Sequence, residues 1–98
     1  MKQYTNQDQT AKLIELGFPE SETSRDYNLD IDKSLINCAY SVGELIEFLE
    51  SNTSIEIWYD GNYHYWYVDY DMRRVGIDKE LINSLYFACV ELKNEGVI

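Results

Sequence analysis

The segment from Ile55 to Tyr70 constrains the fold more than any other part of the chain. Seven of the thirteen residues from Trp58 to Tyr70 are aromatic, and aromatic side chains are enriched in β-strands. Asp60 and Gly61 divide this segment into two arms. Asp-Gly is typical of a two-residue type I′ turn, which needs positive φ at both positions. The segment therefore predicts a β-hairpin that reverses at Asp60-Gly61.

A two-residue turn would pair Tyr59 with Asn62 and Ile57 with His64 across the hairpin. Successive side chains of a strand point to opposite faces. One face then carries Ile55, Ile57, Trp66 and Val68, and the other carries Glu56, Trp58, Tyr63, Tyr65 and Tyr67. We expect the first face to lie against helices because it is the more apolar. A three-residue turn would instead reverse the faces of one arm.

Two helices are predicted before the hairpin. The first runs from about Asn6 to Leu16, with Thr5 as its N-cap and Gly17 at the left-handed position after its end. The second begins after Ser41, which has capping-box spacing to Glu44, and it ends near residues 50–52.

A third helix is predicted after the hairpin. Residues 71–76 read as a connector, Asp78 as the N-cap, and Ile77 and Ile82 as a hydrophobic staple. Gly96 ends the helix. Its apolar surface is wider than one stripe, which predicts deep burial or contact with another chain.

The predicted fold class is α+β, in one domain covering residues 1–98. A hairpin-based antiparallel sheet is covered on one face by about three helices, in two layers and in the order α-(β)-α-β-β-α. Alternating residues at 27–31 suggest a short strand, and a further strand is possible at 34–38. Residues 27–38 could therefore form one strand, two or none.

The charge balance limits the partners that we expect. Eighteen acidic residues against eight basic ones give a net charge of −10, which repels nucleic-acid phosphates and anionic membranes. The chain begins without a secretory signal pattern and contains no apolar run long enough to span a bilayer. We expect a cytoplasmic protein in which Cys38 and Cys89 are unpaired thiols, with Cys89 buried inside a helix.

No pattern in the chain predicts catalysis, a metal or a cofactor. The segment 26–37 resembles a calcium loop at its first positions, but Ile31 stands where the loop needs Gly and Asn37 where it needs Glu. His64 is the only histidine, and no second ligand or nucleophile accompanies it in a known motif. We expect it to lie across from Ile57 near the turn. The chain is therefore predicted to be a non-enzyme.

Two interpretations of the aromatic face remain open. Trp58, Tyr63, Tyr65 and Tyr67 could form a platform for a protein, peptide or sugar, because Trp and Tyr dominate binding hot spots. They could instead only stabilise the hairpin through cross-strand pairs, or lie under another strand or helix. The first interpretation predicts an interaction module that contacts a protein partner or a second copy, through this face or through the last helix. The alternative from the net charge is an acidic mimic of nucleic acid that inhibits a DNA-binding protein.

Three segments carry a resemblance to other proteins. Residues 10–19, residues 40–49 and the ending from Glu80 to Gly96 are similar to a group of small uncharacterised proteins of gut Bacteroidetes and their phages or mobile elements. The resemblance implies a small stand-alone domain of bacterial or mobile-element origin. It implies no activity and no site residues.

Overall fold

The structure is a computed structural model, and it describes residues 3–19, 21, 39–51 and 53–98. Several sequence predictions lie outside these residues. They are the strand at 27–31, the possible strand at 34–38, Cys38, the whole calcium-like segment at 26–37, and all of the loop at 20–26 except residue 21.

The described residues contain three helices and three strands. The helices are α1 (Gln7–Glu15), α2 (Val42–Glu50) and α3 (Leu81–Asn94), and the strands are β1 (Glu56–Asp60), β2 (Tyr65–Tyr70) and β3 (Arg73–Asp78). The strands form one antiparallel sheet in the order β1-β2-β3. The predicted α+β class, with an antiparallel sheet and helices, is confirmed.

The ends of α1 and the start of α2 follow local sequence signals. Gly17 has a φ of 98° after α1, and the Phe18 amide donates to the Leu13 carbonyl at 3.1 Å. Ser41 and Glu44 form the predicted capping box of α2. Thr5 is not the N-cap of α1, because Asn6 fills that position with its own capping box. Thr5 instead accepts a hydrogen bond from the Tyr40 amide at 3.0 Å.

The hairpin forms, but its turn is longer than predicted. Asp60 pairs with Tyr65, and residues 61–64 make the turn. The Asp60 carboxylate accepts the Asn62 amide at 2.8 Å, as an N-cap does. The His64 amide donates to the Asp60 carbonyl at 2.8 Å, which closes one helical turn. The predicted pairs Tyr59–Asn62 and Ile57–His64 are therefore wrong, since Tyr59 pairs with Trp66 and Ile57 with Val68.

The predicted faces of the sheet survive this error. Turns of two and four residues both contain an even number, so each side chain keeps its face. Val68 is fully buried, and Ile55 and Ile57 pack against the core. The face that was expected to meet the helices therefore does meet them.

Strand β3 is the element that sequence reasoning missed. Residues 73–78 pair with β2, whereas the sequence suggested a connector followed by the cap of a helix. The register shifts between Val68 and Asp69, which leaves Val75 as an extra residue in β3. The last helix begins at Leu81 with Glu80 as N-cap, so the proposed Asp78 cap and the Ile77–Ile82 staple are wrong.

Helix α3 lies at the centre of the packing. It contacts β3 and β2 on one side, and α2 and α1 on the other. Its buried side chains are Ile82, Ser84, Leu85, Ala88, Cys89 and Leu92. The wide apolar surface of this helix is thus explained mainly by burial between the sheet and the other helices.

The closest approach of α3 to the sheet is at Gly76. A Cβ atom added to Gly76 would lie 2.1 Å from the carbonyl oxygen of Ser84. The Ser84 hydroxyl also donates to the Trp66 carbonyl at 3.1 Å. These contacts place α3 against one face of the sheet and leave the opposite face to carry the candidate site.

Candidate functional site

The candidate site is the sheet face turned away from α3, which we call the outer sheet face. The register places on it Glu56, Trp58 and Asp60 from β1, Tyr65, Tyr67 and Asp69 from β2, and Arg74 and Ile77 from β3. No helix in the described part of the chain packs on this side. Its side chains therefore cover one another or contact solvent.

Trp58, Tyr67, Asp69 and Arg74 form a cluster at the centre of this face. The rings of Trp58 and Tyr67 lie 4.4 Å apart between centroids. The Trp58 indole donates to one Asp69 oxygen at 2.9 Å, and Arg74 Nε donates to the other at 3.0 Å. The guanidinium carbon of Arg74 stands 3.9 Å from the centre of the Tyr67 ring. The cluster fixes the orientation of Trp58 without a ligand.

The ionisation of Asp69 reflects its position in this cluster. Partial burial alone would raise the pKa of the Asp69 carboxyl, but the hydrogen bonds from Arg74 and Trp58 and the positive charge of Arg74 lower it below 3.8. A carboxyl group whose pKa is lowered by folding stabilises the fold at every pH above the pKa that it has in the unfolded chain. It loses this contribution as the pH falls through the lower pKa of the folded state. The cluster is thus intact at neutral pH.

The four predicted binding residues differ in their accessibility. Trp58 is 41% exposed, Tyr65 is half-buried, and Tyr67 is only 7% exposed under Arg74 and Trp58. Tyr63 is 71% exposed but lies in the turn at 61–64 rather than on a strand. The structure therefore brings Trp58, Tyr65 and Tyr67 together, and Tyr67 supports the surface more than it forms it.

Sequence reasoning missed the contribution of β3 to this face. Ile77 lies opposite Tyr67 and is 47% exposed, so it extends the apolar surface beside Trp58. Arg74 supplies the cation that covers Tyr67. Asp71 and Met72 form the tight turn before β3 although neither residue is Gly or Asn, so no turn pattern in the sequence marked the start of this strand.

Strand β1 is exposed on both of its faces. Trp58 on the outer sheet face is 41% exposed, and Tyr59 on the opposite face is 45% exposed. The Tyr59 ring packs on Trp66 at 5.0 Å, and its hydroxyl is 2.9 Å from Nδ1 of His64. His64 thus lies in the turn beside Tyr59, and its expected position across from Ile57 is wrong.

Helix α3 offers a smaller accessible surface. Phe87 is 45% exposed, with Tyr86 and Val90 half-buried beside it in a shallow groove that Glu91 and Glu95 also line. Arg73 forms ion pairs with Glu91 at 3.6 Å and with Glu95. Arg74 pairs with Asp69 at 3.0 Å, so both residues of the Arg73-Arg74 doublet balance acidic side chains.

The described residues offer no metal site, and their one cysteine is not a reactive thiol. No group of three or more His, Cys, Asp or Glu within them could hold a metal ion. Cys89 is a buried free thiol as predicted, and its burial raises the pKa of the thiol to about 12. A thiol in this state is a poor nucleophile.

Two further results bear on class and relationship. Within the described ranges, every helix is too short or too polar to cross a membrane. No family model, curated protein or solved structure matches the chain. The resemblance to small proteins of gut Bacteroidetes and their mobile elements stays a prediction.

Proposed function

We propose that this protein is a non-enzymatic interaction module that binds a protein partner through its outer sheet face. The observation that carries the proposal is the contrast between the two faces of the sheet. One face is covered by α3, whereas the other presents Trp58 and Ile77, each more than two-fifths exposed, next to Tyr65. Trp58 and Ile77 lie on either side of Tyr67 in the sheet, and exposed apolar side chains that share one face are typical of binding surfaces.

The cluster beneath Trp58 supports the same function. Hot-spot residues are enriched in Trp, Tyr and Arg, and they bind best when they are ordered before the partner arrives. The hydrogen bond to Asp69 and the ring contact with Tyr67 hold Trp58 in one orientation. Binding would therefore cost little side-chain entropy at Trp58, because this side chain is already ordered.

The experiment compares capture of partners by a double variant of the outer sheet face and by a control variant on α3. Trp58→Thr with Ile77→Thr removes the exposed apolar surface and places a side chain that favours strands at both positions. The matched control is Phe87→Gln on α3, because Phe87 is 45% exposed on a different surface. We expect the double variant to weaken binding by more than about tenfold, since a hot-spot residue contributes about 2 kcal/mol or more.

Retained proteins are identified by affinity capture from the source cell followed by mass spectrometry, and circular dichroism checks that each variant is folded. Proteins retained by the wild type and by the Phe87 variant, but lost by a folded double variant, support the proposal. A folded double variant that retains the same proteins contradicts it. If the partner is a second copy, light scattering must show a dimer for the wild type and a monomer for the double variant.

The acidic mimic of nucleic acid is the weaker candidate. Many described acidic side chains already have structural roles: Glu44 and Asp60 accept backbone amides, Asp69 binds Arg74, and Glu91 and Glu95 bind Arg73. Phosphate mimicry needs exposed charges in a continuous stripe, so each internal partner lowers the number available. Our proposal also places the protein in the cytoplasm and excludes direct nucleic-acid binding.

A further inference from the structure

Among the described residues, the edge of the sheet formed by β1 has no pairing strand. β1 pairs with β2 on one side, and no strand within residues 3–19, 39–51 and 53–98 pairs with its other side. The pairing of β1 with β2 is regular over all five residues of β1, from Glu56 to Asp60. A regular edge strand presents unpaired amide and carbonyl groups to another chain.

The other edge of the sheet is protected in ways that β1 is not. β3 contains the register shift at Val75 and two adjacent arginines, Arg73 and Arg74. Bulges, charged side chains (Lys especially) and prolines are the usual means by which proteins discourage edge pairing. β1 has the sequence Glu-Ile-Trp-Tyr-Asp, with no bulge in its pairing, no basic residue and no proline, and its charged side chains are the acidic Glu56 and Asp60.

The side chains of β1 indicate which strand would fit. Glu56, Trp58 and Asp60 share the outer sheet face, so two carboxylates flank one aromatic ring. An antiparallel strand places its residues directly opposite these three. Basic residues opposite Glu56 and Asp60 would be attracted, and an apolar residue opposite Trp58 would pack on the ring.

A second copy of β1 does not satisfy this pattern. In the antiparallel register that overlaps all five residues, Trp58 would face Trp58 of the other copy and Glu56 would face Asp60. Like charges directly opposite each other destabilise a strand pair. The edge therefore favours a different chain over self-association.

We propose that β1 binds an extended segment of a protein partner as a fourth antiparallel strand, with Lys or Arg opposite Glu56 and Asp60 and an apolar residue opposite Trp58. This inference rests on the proposed function and names the partner class, a basic–apolar–basic strand. Backbone hydrogen bonds to the edge supply affinity, and the two carboxylates select the sequence. The exposed Trp58 and Tyr59 contact the incoming strand from its two faces.

The test uses the full chain labelled with nitrogen-15 and the capped peptide Thr-Lys-Thr-Val-Thr-Lys-Thr. We expect the peptide to shift the amide signals of residues 56–60 and to slow their hydrogen exchange. Glu in place of both Lys should weaken binding by about tenfold or more, since attractive pairs become repulsive. Methylating alternate peptide nitrogens in the two possible patterns should abolish binding in one pattern only, because only alternate amides face β1.

A charge exchange fixes the register and the direction. The antiparallel arrangement places the second Lys of the peptide opposite Glu56. Glu56→Lys should therefore bind Thr-Lys-Thr-Val-Thr-Glu-Thr more tightly than the original peptide, reversing the wild-type order. Asp60→Asn keeps an oxygen that can accept the turn amide while removing the charge. This variant should weaken binding of the original peptide without changing the turn at residues 61–64.

The outcomes separate this inference from the proposed function. Unchanged signals at 56–60, or shifts confined to α3, overturn the fourth strand. If the Trp58 and Ile77 double variant nevertheless loses its partners, the outer sheet face still binds them and only the edge pairing is wrong. If the double variant keeps its partners as well, both proposals fail. Equal binding of the Lys and Glu peptides overturns the basic–apolar–basic class.

Discussion

Positive φ in the two turns of the sheet falls on different residues from those that a sequence pattern would choose. Asp71 and Met72 have φ values of 49° and 63°, and they connect β2 to β3 as a two-residue turn. Gly61 lies in the turn between β1 and β2 without positive φ, where His64 has a φ of 60°. The left-handed region costs a residue with a Cβ atom about 1–2 kcal/mol.

Replacing Met72 by Gly should therefore stabilise the protein. The variant removes the left-handed cost, and part of that gain is lost because Gly is more flexible in the unfolded chain. We expect the free energy of unfolding to rise by about 0.5–1 kcal/mol. Met72 is fully exposed, so no packing is lost. Urea unfolding measures the change, and a less stable variant would show that Met72 makes a contact in solution.

Gly61→Ala is the matched test of the other turn. A Cβ atom at Gly61 would meet nothing within 4 Å. We expect Ala to be neutral or to stabilise by up to about 1 kcal/mol, because it restricts the unfolded chain. A loss of about 1–2 kcal/mol would instead indicate positive φ at Gly61 and hence the two-residue turn that Asp-Gly suggested.

At the scale of elements, local signals gave the end of α1 and the capping box of α2 correctly. Other local predictions were wrong, namely the caps assigned to Thr5 and Asp78 and the two-residue turn at Asp60-Gly61. The end of α1 and the start of α2 depend on residues that are close in sequence, such as Leu13 with Phe18 and Ser41 with Glu44. β3 was missed because its identity depends on pairing with β2. The extra residue Val75 breaks the alternation that marks a strand, and Gly76 is small for packing against α3.

The candidate site was predictable to the same extent. Trp58, Tyr65 and Tyr67 share a face because they lie in two arms of one hairpin, and an even turn length preserved that face. Ile77 and Arg74 could not be added without knowing that β3 exists. The burial of Tyr67 depends on Arg74, so it could not be predicted from the sequence either.

Packing between β3 and α3 predicts a severe effect of Gly76→Ala. The added Cβ atom would lie 2.1 Å from a backbone oxygen of Ser84, so the helix or the strand must move. We expect a loss of about 1–3 kcal/mol, the range found for overpacked cores. Urea unfolding measures the loss, and buried Cys89, on the same helix, provides a thiol whose accessibility reports the displacement.

Gly43→Ala is the control for this substitution. Gly43 lies in α2, and the nearest atom to an added Cβ is the Ser41 hydroxyl at 3.9 Å. Ala favours a helix over Gly by up to about 1 kcal/mol, so this variant should be neutral or more stable. If Gly76→Ala is as stable as Gly43→Ala, α3 does not approach the sheet as closely as the structure shows.

For the whole molecule, two electrostatic effects on stability oppose each other: ion pairs stabilise the folded chain, and repulsion among the excess negative charges destabilises it. Arg73 and Arg74 pair with Glu91, Glu95 and Asp69. Solvent and salt screen exposed pairs of this kind, so each of them adds little stability. The chain still carries a net charge of −10, and an excess of one sign destabilises the compact state. Salt weakens both effects, so the sign of its influence shows which of them is larger.

We expect added salt to stabilise the protein, because few pairs oppose a large excess of negative charge. The Debye length falls from about 30 Å at 0.01 M to about 8 Å at 0.15 M sodium chloride. Over this range the melting temperature should rise by several degrees, where about 1 kcal/mol corresponds to about 4–8 °C. Glu47 and Glu50 are exposed on α2, so Glu47→Lys with Glu50→Lys should raise the melting temperature at low salt and reduce its response to salt. A melting temperature that falls with salt would mean that the ion pairs of Arg73 and Arg74 stabilise the folded chain by more than the repulsion destabilises it. The net charge of −10 would then destabilise the folded chain less than its size implies.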